Sequence, residues 1–244
     1  MATLVFDIET VGERFEDMDT TTQEVLTRWI KKTSKNEVDE ESLFNDLKEG
    51  LGFSPLTGSI VAIGVYDIER KQGAVYYIGK GTEVDEEING YMLKQRSEKE
   101  MLEDFWEGAK NYDTFVTFNG RVFDVPFLLH RSVVCEVMPT CDLMEGRYLY
   151  QQKGVRHVDL LDQLTFYGAM FRKPSLHLFC RAYGIRSPKA NGVSGDDVAQ
   201  LFKDKRFRDI ALYNSHDVTA TTELYEKWLT YLAPLDFKER EIDF

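Results

Sequence analysis

The first apolar segment of the chain carries two acidic residues, and this combination constrains the fold more than any other feature. Residues 2–8, ATLVFDI, are apolar, β-branched or aromatic, which predicts a buried strand. Asp7 and Glu9 stand two residues apart, so their side chains point to the same face of that strand. Burying unpaired carboxylates is costly, and a bound divalent cation would remove that cost. The alternative is that both acids lie solvated at the end of the strand.

The remaining elements alternate between strand and helix. Apolar runs predict further strands at 59–67, 73–79, 113–118 and around 157–161, and the first two read as a hairpin. Helical spacing predicts helices at 97–110, 124–134, 176–184, 196–203 and 207–232. The order β-β-β-α-β-α-β-α and the absence of an obvious linker predict one α/β domain over residues 1–244.

A long polar segment, residues 11–55, separates the first strand from the second. It contains apolar residues at helical spacing in two groups: Val25, Leu26, Trp29 and Ile30, then Leu43, Phe44, Leu47 and Leu51. The acidic stretch Glu37–Glu41 between them is predicted to be a solvated connection. Because an unstructured loop of this length is unusual in a compact domain, we expect a helical insertion or flap.

Composition and charge exclude several classes of protein. No run of about 18 apolar residues exists, and no basic region precedes an apolar stretch at the N-terminus. These observations predict no transmembrane helix, no signal peptide, no membrane partner and a cytoplasmic location. The net charge of −12 argues against a protein that coats nucleic acid by bulk charge. It leaves open an enzyme that grips a strand end through bound cations, because such ions reverse the sign of an acidic pocket.

Two later segments supply acids that could join the first pair. Asp124 follows the fourth predicted strand at a helix start, where an aspartate alone is usually an N-cap. Tyr213 and Asp217 stand four residues apart in the last helix, on one helical face, which alone is weak evidence. Together these acids can converge at one sheet edge. A site with carboxylate oxygens and no His or Cys ligand suits Mg²⁺ or Mn²⁺. Two ions of this kind stabilise the attacking and the leaving oxygen when a phosphodiester is hydrolysed.

Three motifs, in this order, resemble the exonuclease motifs of the DEDD superfamily. They are FDIET at 6–10, NGRVFDVPFL at 119–128 and YNSHD at 213–217. The tyrosine four residues before the last aspartate is similar to the DEDDy subtype. The chain most resembles the stand-alone predicted exonuclease family related to the proofreading domain of family B DNA polymerases. The segments GFSPLTGSIVAIGVYD and SGDDVAQLF are also similar to that family, so the resemblance covers nearly the whole chain.

The resemblance implies a fold and a set of catalytic roles. The implied fold is RNase H-like: a mixed five-stranded sheet with helices on both faces and the insertion after the first strand. Two divalent cations, Mg²⁺ or Mn²⁺, are implied to bind Asp7, Glu9, Asp124 and Asp217. Tyr213 is implied to orient or deprotonate the attacking water. A tyrosine is a poor base near neutral pH, so we expect it to position the water or to relay its proton to a metal-bound hydroxide.

The resemblance also implies contacts to the 3′-terminal nucleotide from Thr10, Asn119 and Phe123. A phenylalanine ring can support a base or sugar without reading sequence. For Phe123 the alternative is core packing, and Thr10 could simply cap the exit of the strand. His157 and Asp159, two apart on the last predicted strand, are expected to play a structural role.

The implied activity is that of a 3′→5′ exonuclease that releases nucleoside monophosphates from the 3′ end of a single strand. DNA is favoured as the substrate, and an exoribonuclease of the same fold is the alternative. A chain of this length has no room for a polymerase domain, so proofreading or DNA repair would need a polymerase or another replication or repair partner. Rivals from other classes are a non-catalytic nucleic-acid-binding scaffold and a metal-dependent phosphatase. The sequence does not indicate an oligomeric state.

Positive charge is confined to local clusters that could contact phosphates. Trp29 lies among Arg28, Lys31, Lys32 and Lys35, which suggests that the insertion forms one wall of a single-strand channel. Arg172 and Lys173 form another cluster. For each cluster the alternative is an ordinary solvated surface.

Overall fold

The computed structural model describes residues 2–79, 85–188, 195–235 and 237. Within these residues seven strands form one mixed sheet, in the order β4-β5-β3-β2-β1-β6-β7. The strands are β1 Thr3–Gly12, β2 Gly58–Asp67, β3 Gln72–Ile78, β4 Glu86–Ile88, β5 Tyr91–Arg96, β6 Thr114–Thr117 and β7 Arg156–Asp159. The strand β1 is antiparallel to β2 and parallel to β6, and it therefore lies inside the sheet.

Helices cover both faces of this sheet. They are α1 Thr20–Thr27, α2 Ile30–Thr33, α3 Glu37–Gly50, α4 Glu98–Ala109, α5 Asp124–Val134, α6 Leu160–Leu164, α7 Leu176–Tyr183, α8 Val198–Lys203 and α9 Phe207–Tyr231. Short 3₁₀ turns occur at Phe15–Asp17, Leu51–Phe53, Leu149–Gln151 and Gly195–Asp197. The first three helices lie between β1 and β2, which confirms the helical insertion.

The acidic stretch of the insertion was predicted wrongly, because it is helical. Glu37–Glu41 form the beginning of α3 and not a connection. Asn36 caps this helix by accepting a hydrogen bond from the backbone N–H of Asp39 over 2.9 Å. Acidic side chains in a first turn also interact favourably with the positive end of the helix dipole.

The strand order agrees with the RNase H-like fold. The five expected strands are β3-β2-β1-β6-β7, with β2 antiparallel to both of its neighbours and β6 parallel to β7. Two further strands extend this sheet beyond β3, since β5 pairs parallel with β3 and β4 pairs antiparallel with β5. Along β5 every second side chain is buried, namely Tyr91, Leu93 and Gln95. The charged residues Lys94 and Arg96 interrupt the apolar run and hide this strand from sequence analysis.

The alternation of β1 divides the core between the two faces of the sheet. Leu4, Phe6 and Ile8 pack in the cluster that contains buried residues of α4 and α5. Val5 belongs to the other cluster, which contains buried residues of α9. Asp7 and Glu9 follow Val5 at two-residue spacing, so their side chains point to the same face of the sheet as Val5. That face is covered by α9.

The 25-residue helix α9 packs against β1, β2 and β3. Its buried residues recur at three- and four-residue spacing and include both polar and apolar side chains. None of the described helices combines the length with the apolar character that crossing a bilayer requires.

Candidate active site

A cavity of about 500 Å³ opens where β1, the start of α5 and α9 meet. All five residues with predicted catalytic roles line it: Asp7, Glu9, Asp124, Tyr213 and Asp217. They come from three segments that are far apart in sequence. The predicted convergence of the acids at one place is therefore present in the structure.

Three of the four carboxylates form a tight cluster. One oxygen from each of Asp7, Glu9 and Asp217 lies within 4.8 Å of the others. Glu9 is 7% exposed and Asp217 is 9% exposed, so water screens these charges poorly. Hard divalent cations bind carboxylate oxygens arranged in this way, and such a cation would offset the mutual repulsion. The donor set fits Mg²⁺ or Mn²⁺.

Asp124 joins the site from the start of α5. The helix α5 begins at Asp124 itself, and Phe123 occupies the N-cap position without a capping side-chain hydrogen bond. Oδ1 of Asp124 instead accepts a hydrogen bond from the backbone N–H of Ile8 over 3.0 Å. Asp124 is thus not an N-cap, and its carboxylate is tied to the strand between the two other acids.

Burial and mutual repulsion disfavour the charged forms of these acids. Burial raises the pKa of Asp7 well above its ordinary value, and the carboxylates of Asp124 and Asp217 raise it further. Burial, followed by the charge of Asp217, likewise raises the pKa of Glu9. Burial raises the pKa of Asp124 to about 7. The cluster therefore favours bound protons, or a bound cation in their place.

Tyr213 is held against Asp217, one turn further along α9. The phenol is 8% exposed, and its hydroxyl hydrogen-bonds the Asp217 carboxylate. Burial raises the pKa of Tyr213 above its ordinary value, and the charges of Asp217 and Glu9 raise it further. The hydroxyl consequently stays protonated at neutral pH, where it can donate a hydrogen bond but cannot act as a base.

Asn214 was not identified from the sequence. Its buried side-chain amide donates to Oδ2 of Asp7 over 2.8 Å. The helix packs closely enough here that a Cβ added to Gly64 of β2 would lie 2.1 Å from Oδ1 of Asn214. The signal was present in the motif YNSHD, because residues three apart share a helical face, and Asn214 precedes Asp217 by three.

The turn after β6 positions Asn119. Asn119 has a left-handed φ of +64° and lines the cavity. The two carboxylate oxygens of Asp159 accept hydrogen bonds from the backbone N–H groups of Asn119, over 2.9 Å, and Arg121, over 3.0 Å. Asp159 therefore braces the turn, and the buried ring of His157 bonds Thr117 over 2.8 Å. Both residues have the structural role expected for them.

Phe123 and Thr10 are placed differently with respect to the cavity. Phe123 lines it and packs at ring-centroid distances of 4.9 Å from Phe127 and 6.5 Å from Phe53. The hydroxyl of Thr10 donates to the backbone carbonyl of Gly52 over 2.7 Å, and Thr10 does not line the cavity. Its hydroxyl thus anchors the end of the insertion to the end of β1, which fits the alternative of a residue that closes the strand exit.

A fourth segment completes the wall of the cavity. Lys173, Ser175 and Leu176 line it, immediately before and at the start of α7. Lys173 had been noted only as one member of a basic cluster. Its place in an acidic cavity brings a positive charge within reach of a negatively charged ligand.

Comparison with known proteins agrees with this architecture. A DNA polymerase 1 of Sulfurisphaera ohwakuensis is 25% identical over 242 residues, covering 89% of this chain and 26% of that protein. The structure of the family B DNA polymerase of the archaeon Pyrobaculum calidifontis superposes with a TM-score of 0.56 and 18% identity, covering 93% of this chain and 24% of that one. The chain thus spans about a quarter of each of these relatives.

A family model identifies the relationship more narrowly. The model of a predicted 3′-5′ exonuclease related to the exonuclease domain of PolB matches residues 59–242. This match contains Asp124, Tyr213 and Asp217, whereas Asp7 and Glu9 precede it. The match covers well over half of the sequence, and the chain belongs to the family of predicted 3′-5′ exonucleases related to the exonuclease domain of PolB.

Proposed function

We propose that this protein hydrolyses the last phosphodiester bond at the 3′ end of a single-stranded nucleic acid, with DNA as the favoured substrate. The products are a nucleoside monophosphate and a strand shortened by one nucleotide. The observation that carries the proposal is the convergence of Asp7, Glu9 and Asp217, whose oxygens lie within 4.8 Å of one another, with Asp124 and Tyr213 in one cavity. We further propose that residues 1–244 act as a single exonuclease domain.

The four carboxylates would hold two divalent cations, Mg²⁺ or Mn²⁺. When bound, such ions stabilise negative charge on the attacking and leaving oxygens of a phosphodiester. The raised pKa values of Asp7, Glu9 and Asp124 fit this assignment, because an empty cluster is electrostatically unfavourable. Structural carboxylates are usually paired with cationic side chains or exposed to water. Glu9, Asp124 and Asp217 are instead buried close to Asp7, whose pKa their charges raise.

The residues of the chain would position the two reactants. The Tyr213 hydroxyl donates its proton to Asp217, so its oxygen would accept a hydrogen bond from the attacking water and fix the direction of that water toward phosphorus. The water oxygen bonds to phosphorus and loses one proton, the bond from phosphorus to the 3′ oxygen breaks, and that oxygen gains one proton. The ring of Phe123 and the side chain of Asn119 support the terminal nucleotide, and Lys173 attracts its phosphate.

DNA is favoured because the relatives of this chain are DNA polymerases. We propose that a nucleic-acid 3′ end is the partner of this site, and that a polymerase or another replication or repair protein is a further partner. The alternative substrate is RNA, which the same cavity would cut by the same chemistry. The rates of hydrolysis measured on DNA and on RNA therefore decide between the two substrates.

The test is a set of 5′-labelled strands incubated with the protein. The strands are a single-stranded DNA, an RNA of the same sequence and a DNA whose 3′ hydroxyl is blocked, each with Mg²⁺, Mn²⁺ or EDTA. We expect a ladder that shortens from the 3′ end and disappears in EDTA. The ratio of the DNA and RNA rates decides the substrate.

Two variants make the test specific to the proposed site. Asp7→Ala and Asp217→Ala should abolish the ladder, whereas Asp46→Ala, which removes an exposed acid of α3, should leave it unchanged. Strand binding without cutting by the wild-type protein would instead favour a non-catalytic scaffold. Equal hydrolysis of a small phosphate monoester would favour a phosphatase.

A further inference from the structure

A group of aromatic side chains, four of them exposed and one half-buried, lies outside the cavity and has no role in the chemistry proposed above. We call it the aromatic surface; its members are Tyr148, Tyr150, Phe166, Tyr167 and Phe171. Tyr150 is 82% exposed, Phe171 is 96% exposed and Phe166 is 59% exposed. Rings this exposed and this close together in the chain are uncommon on a protein that binds nothing through them.

The rings of the aromatic surface are arranged against one another. Tyr148 and Tyr150 stack, with ring centroids 5.6 Å apart and an interplanar angle of 16°. The centroid of Tyr148 also lies 4.5 Å from that of Tyr167. The segment around 150 and the segment around 167 therefore form one continuous surface.

The backbone of this surface is held in an unusual conformation. Phe166 and Tyr167 both have left-handed φ values, +52° and +57°, which residues with side chains rarely adopt. The Tyr167 N–H donates to the carbonyl of Asp162 over 2.7 Å, and the buried Gln163 amide donates to the Tyr167 hydroxyl over 2.7 Å. Such strained residues persist only where their surroundings enforce them, and they cluster at binding sites. The rings are thus presented in a fixed arrangement.

The aromatic surface adjoins the candidate active site along the chain. Leu161 lines the cavity at one end of the segment, and Lys173 lines it at the other. Between them the N–H groups of Gly168 and Met170 both donate to the carbonyl of Thr165 over 3.2 Å, which closes a turn. Phe171 is two residues from Lys173, so a strand leaving the cavity past Lys173 would pass close to Phe171.

The charge of this region differs from that of the whole chain. Residues 143–176 contain five lysines and arginines against three acids, although the chain carries a net charge of −12. The guanidinium of Arg147 lies 6.0 Å from the Tyr167 ring centroid, and that of Arg172 lies 5.9 Å from the Phe171 ring centroid. Aromatic rings interleaved with cations are the typical surface on which the bases and phosphates of single strands bind.

The insertion is less suited to this role. Its Lys31 lies in a second cavity together with three acids of α3, Glu37, Glu40 and Glu41. These acids would repel a phosphate backbone. The sequence-based hypothesis of a channel wall around Trp29 is therefore less well supported than the aromatic surface.

We propose that the strand upstream of the terminal nucleotide runs over the aromatic surface, with its bases stacked on Phe171 and Tyr150 and its phosphates near Arg172. This inference rests on the proposed function, because it takes the cavity as the place where the 3′ end is cut. The aromatic surface should therefore strengthen the binding of long substrates and leave the binding of very short substrates unchanged.

The test compares substrates of two lengths, oligothymidylates of 3 and 20 nucleotides, in a double variant, Tyr150→Ala with Phe171→Ala. Both residues are exposed, so the variant should fold. We expect kcat/KM for the 20-mer to fall about tenfold or more, the effect of losing one base–aromatic stack, while kcat/KM for the 3-mer changes less than twofold. The double variant Tyr150→Phe with Phe171→Tyr keeps both rings and should retain wild-type kcat/KM for the 20-mer.

A matched control is Tyr231→Ala. Tyr231 is 73% exposed and lies 14 residues beyond Asp217 on α9, about 21 Å along the helix axis, so its loss should not affect either substrate. If the alanine double variant cuts both lengths as the wild type does, the aromatic surface does not bind the strand, while the proposed function stands. If wild type cuts neither length, both proposals are overturned.

Discussion

The side-chain amide of Asn214 donates a hydrogen bond to Oδ2 of Asp7 over 2.8 Å and so joins the last helix to the first strand. The two residues are 207 positions apart in the chain. The bond holds one oxygen of the first proposed ligand and lowers the pKa of Asp7 against the opposing effect of burial. Asn214 is thus a positioning residue, acting through Asp7.

Replacing Asn214 by alanine should raise the cation requirement of the proposed nuclease activity. Without the amide, Asp7 loses a donor that favours its charged form and fixes its orientation. We expect the Mg²⁺ concentration for half-maximal activity to rise about tenfold or more, with partial recovery of the rate at high Mg²⁺. Ser215→Ala is the control, because within the described part of the chain the Ser215 hydroxyl donates to the Leu212 carbonyl of the same helix. Equal Mg²⁺ requirements in the two variants would contradict the role of Asn214.

Gly64→Ala should destabilise the protein, because α9 packs directly on this glycine. A Cβ at Gly64 would lie 2.1 Å from Oδ1 of Asn214 and 2.8 Å from Cγ2 of Val218. Overpacking of a well-packed core costs about 1–3 kcal/mol. Gly108→Ala is the matched control, since nothing lies within 4 Å of its Cβ and it is in a helix, where alanine stabilises by roughly 0.5–1 kcal/mol. Urea unfolding should therefore shift in opposite directions for the two variants.

Asp7→Asn should make the cation-free protein more stable while abolishing activity. The substitution removes one charge from a cluster in which Asp124 and Asp217 repel it. In EDTA we expect the Tm to rise, by about 2–4 °C for each kcal/mol of relieved repulsion. Mg²⁺ should raise the Tm of the wild type more than that of the variant. Asp46→Asn, an equal charge change on the exposed side of α3, should leave both Tm and activity unchanged.

Without divalent cations, stability should fall as the pH rises toward neutrality. Burial raises the pKa of Asp124 from its ordinary 3.8 to about 7, so between these values the folded chain binds a proton that the unfolded chain has released. The free energy of unfolding then decreases with pH, by up to about 1.4 kcal/mol per pH unit for this group. Urea titrations in EDTA from pH 4.5 to 7.5 should show this decrease, and Asp124→Asn should lack its share of it. Parallel curves for the two proteins would contradict the assignment.

Tyr213→Phe should slow hydrolysis without preventing cation binding. The Tyr213 hydroxyl is buried and bonded to Asp217, and its raised pKa keeps it a hydrogen-bond donor at neutral pH. Removing it should lower kcat about 10²-fold, within the range for a group that positions or exchanges a proton. The rise in Tm caused by Mg²⁺ should persist, because all four carboxylates remain. An unchanged kcat, or loss of the Mg²⁺ effect on Tm, would argue against a water-positioning role.

Local patterns in the sequence were sufficient for most elements of the fold and for identifying the candidate acids. The alternation in ATLVFDIET predicted both the strand and the shared face of Asp7 and Glu9, because a strand repeats every two residues. The spacing of Tyr213 and Asp217 predicted that they share one face of the helix, because a helix turn spans about four residues. Less regular signals were misread: the capped, acidic start of α3 looked like a solvated connection, and β5 was hidden by its charged residues.

Only the tertiary structure decided which distant groups meet. It paired Asn214 with Asp7, turned the Thr10 hydroxyl to Gly52, placed Lys173 in the cavity wall and assembled the aromatic surface. Periodicity determines the direction of a side chain within its own helix or strand. The contacts between elements depend on how their faces pack, and the close approach of α9 to Gly64 is a property of that packing rather than of any local run of residues.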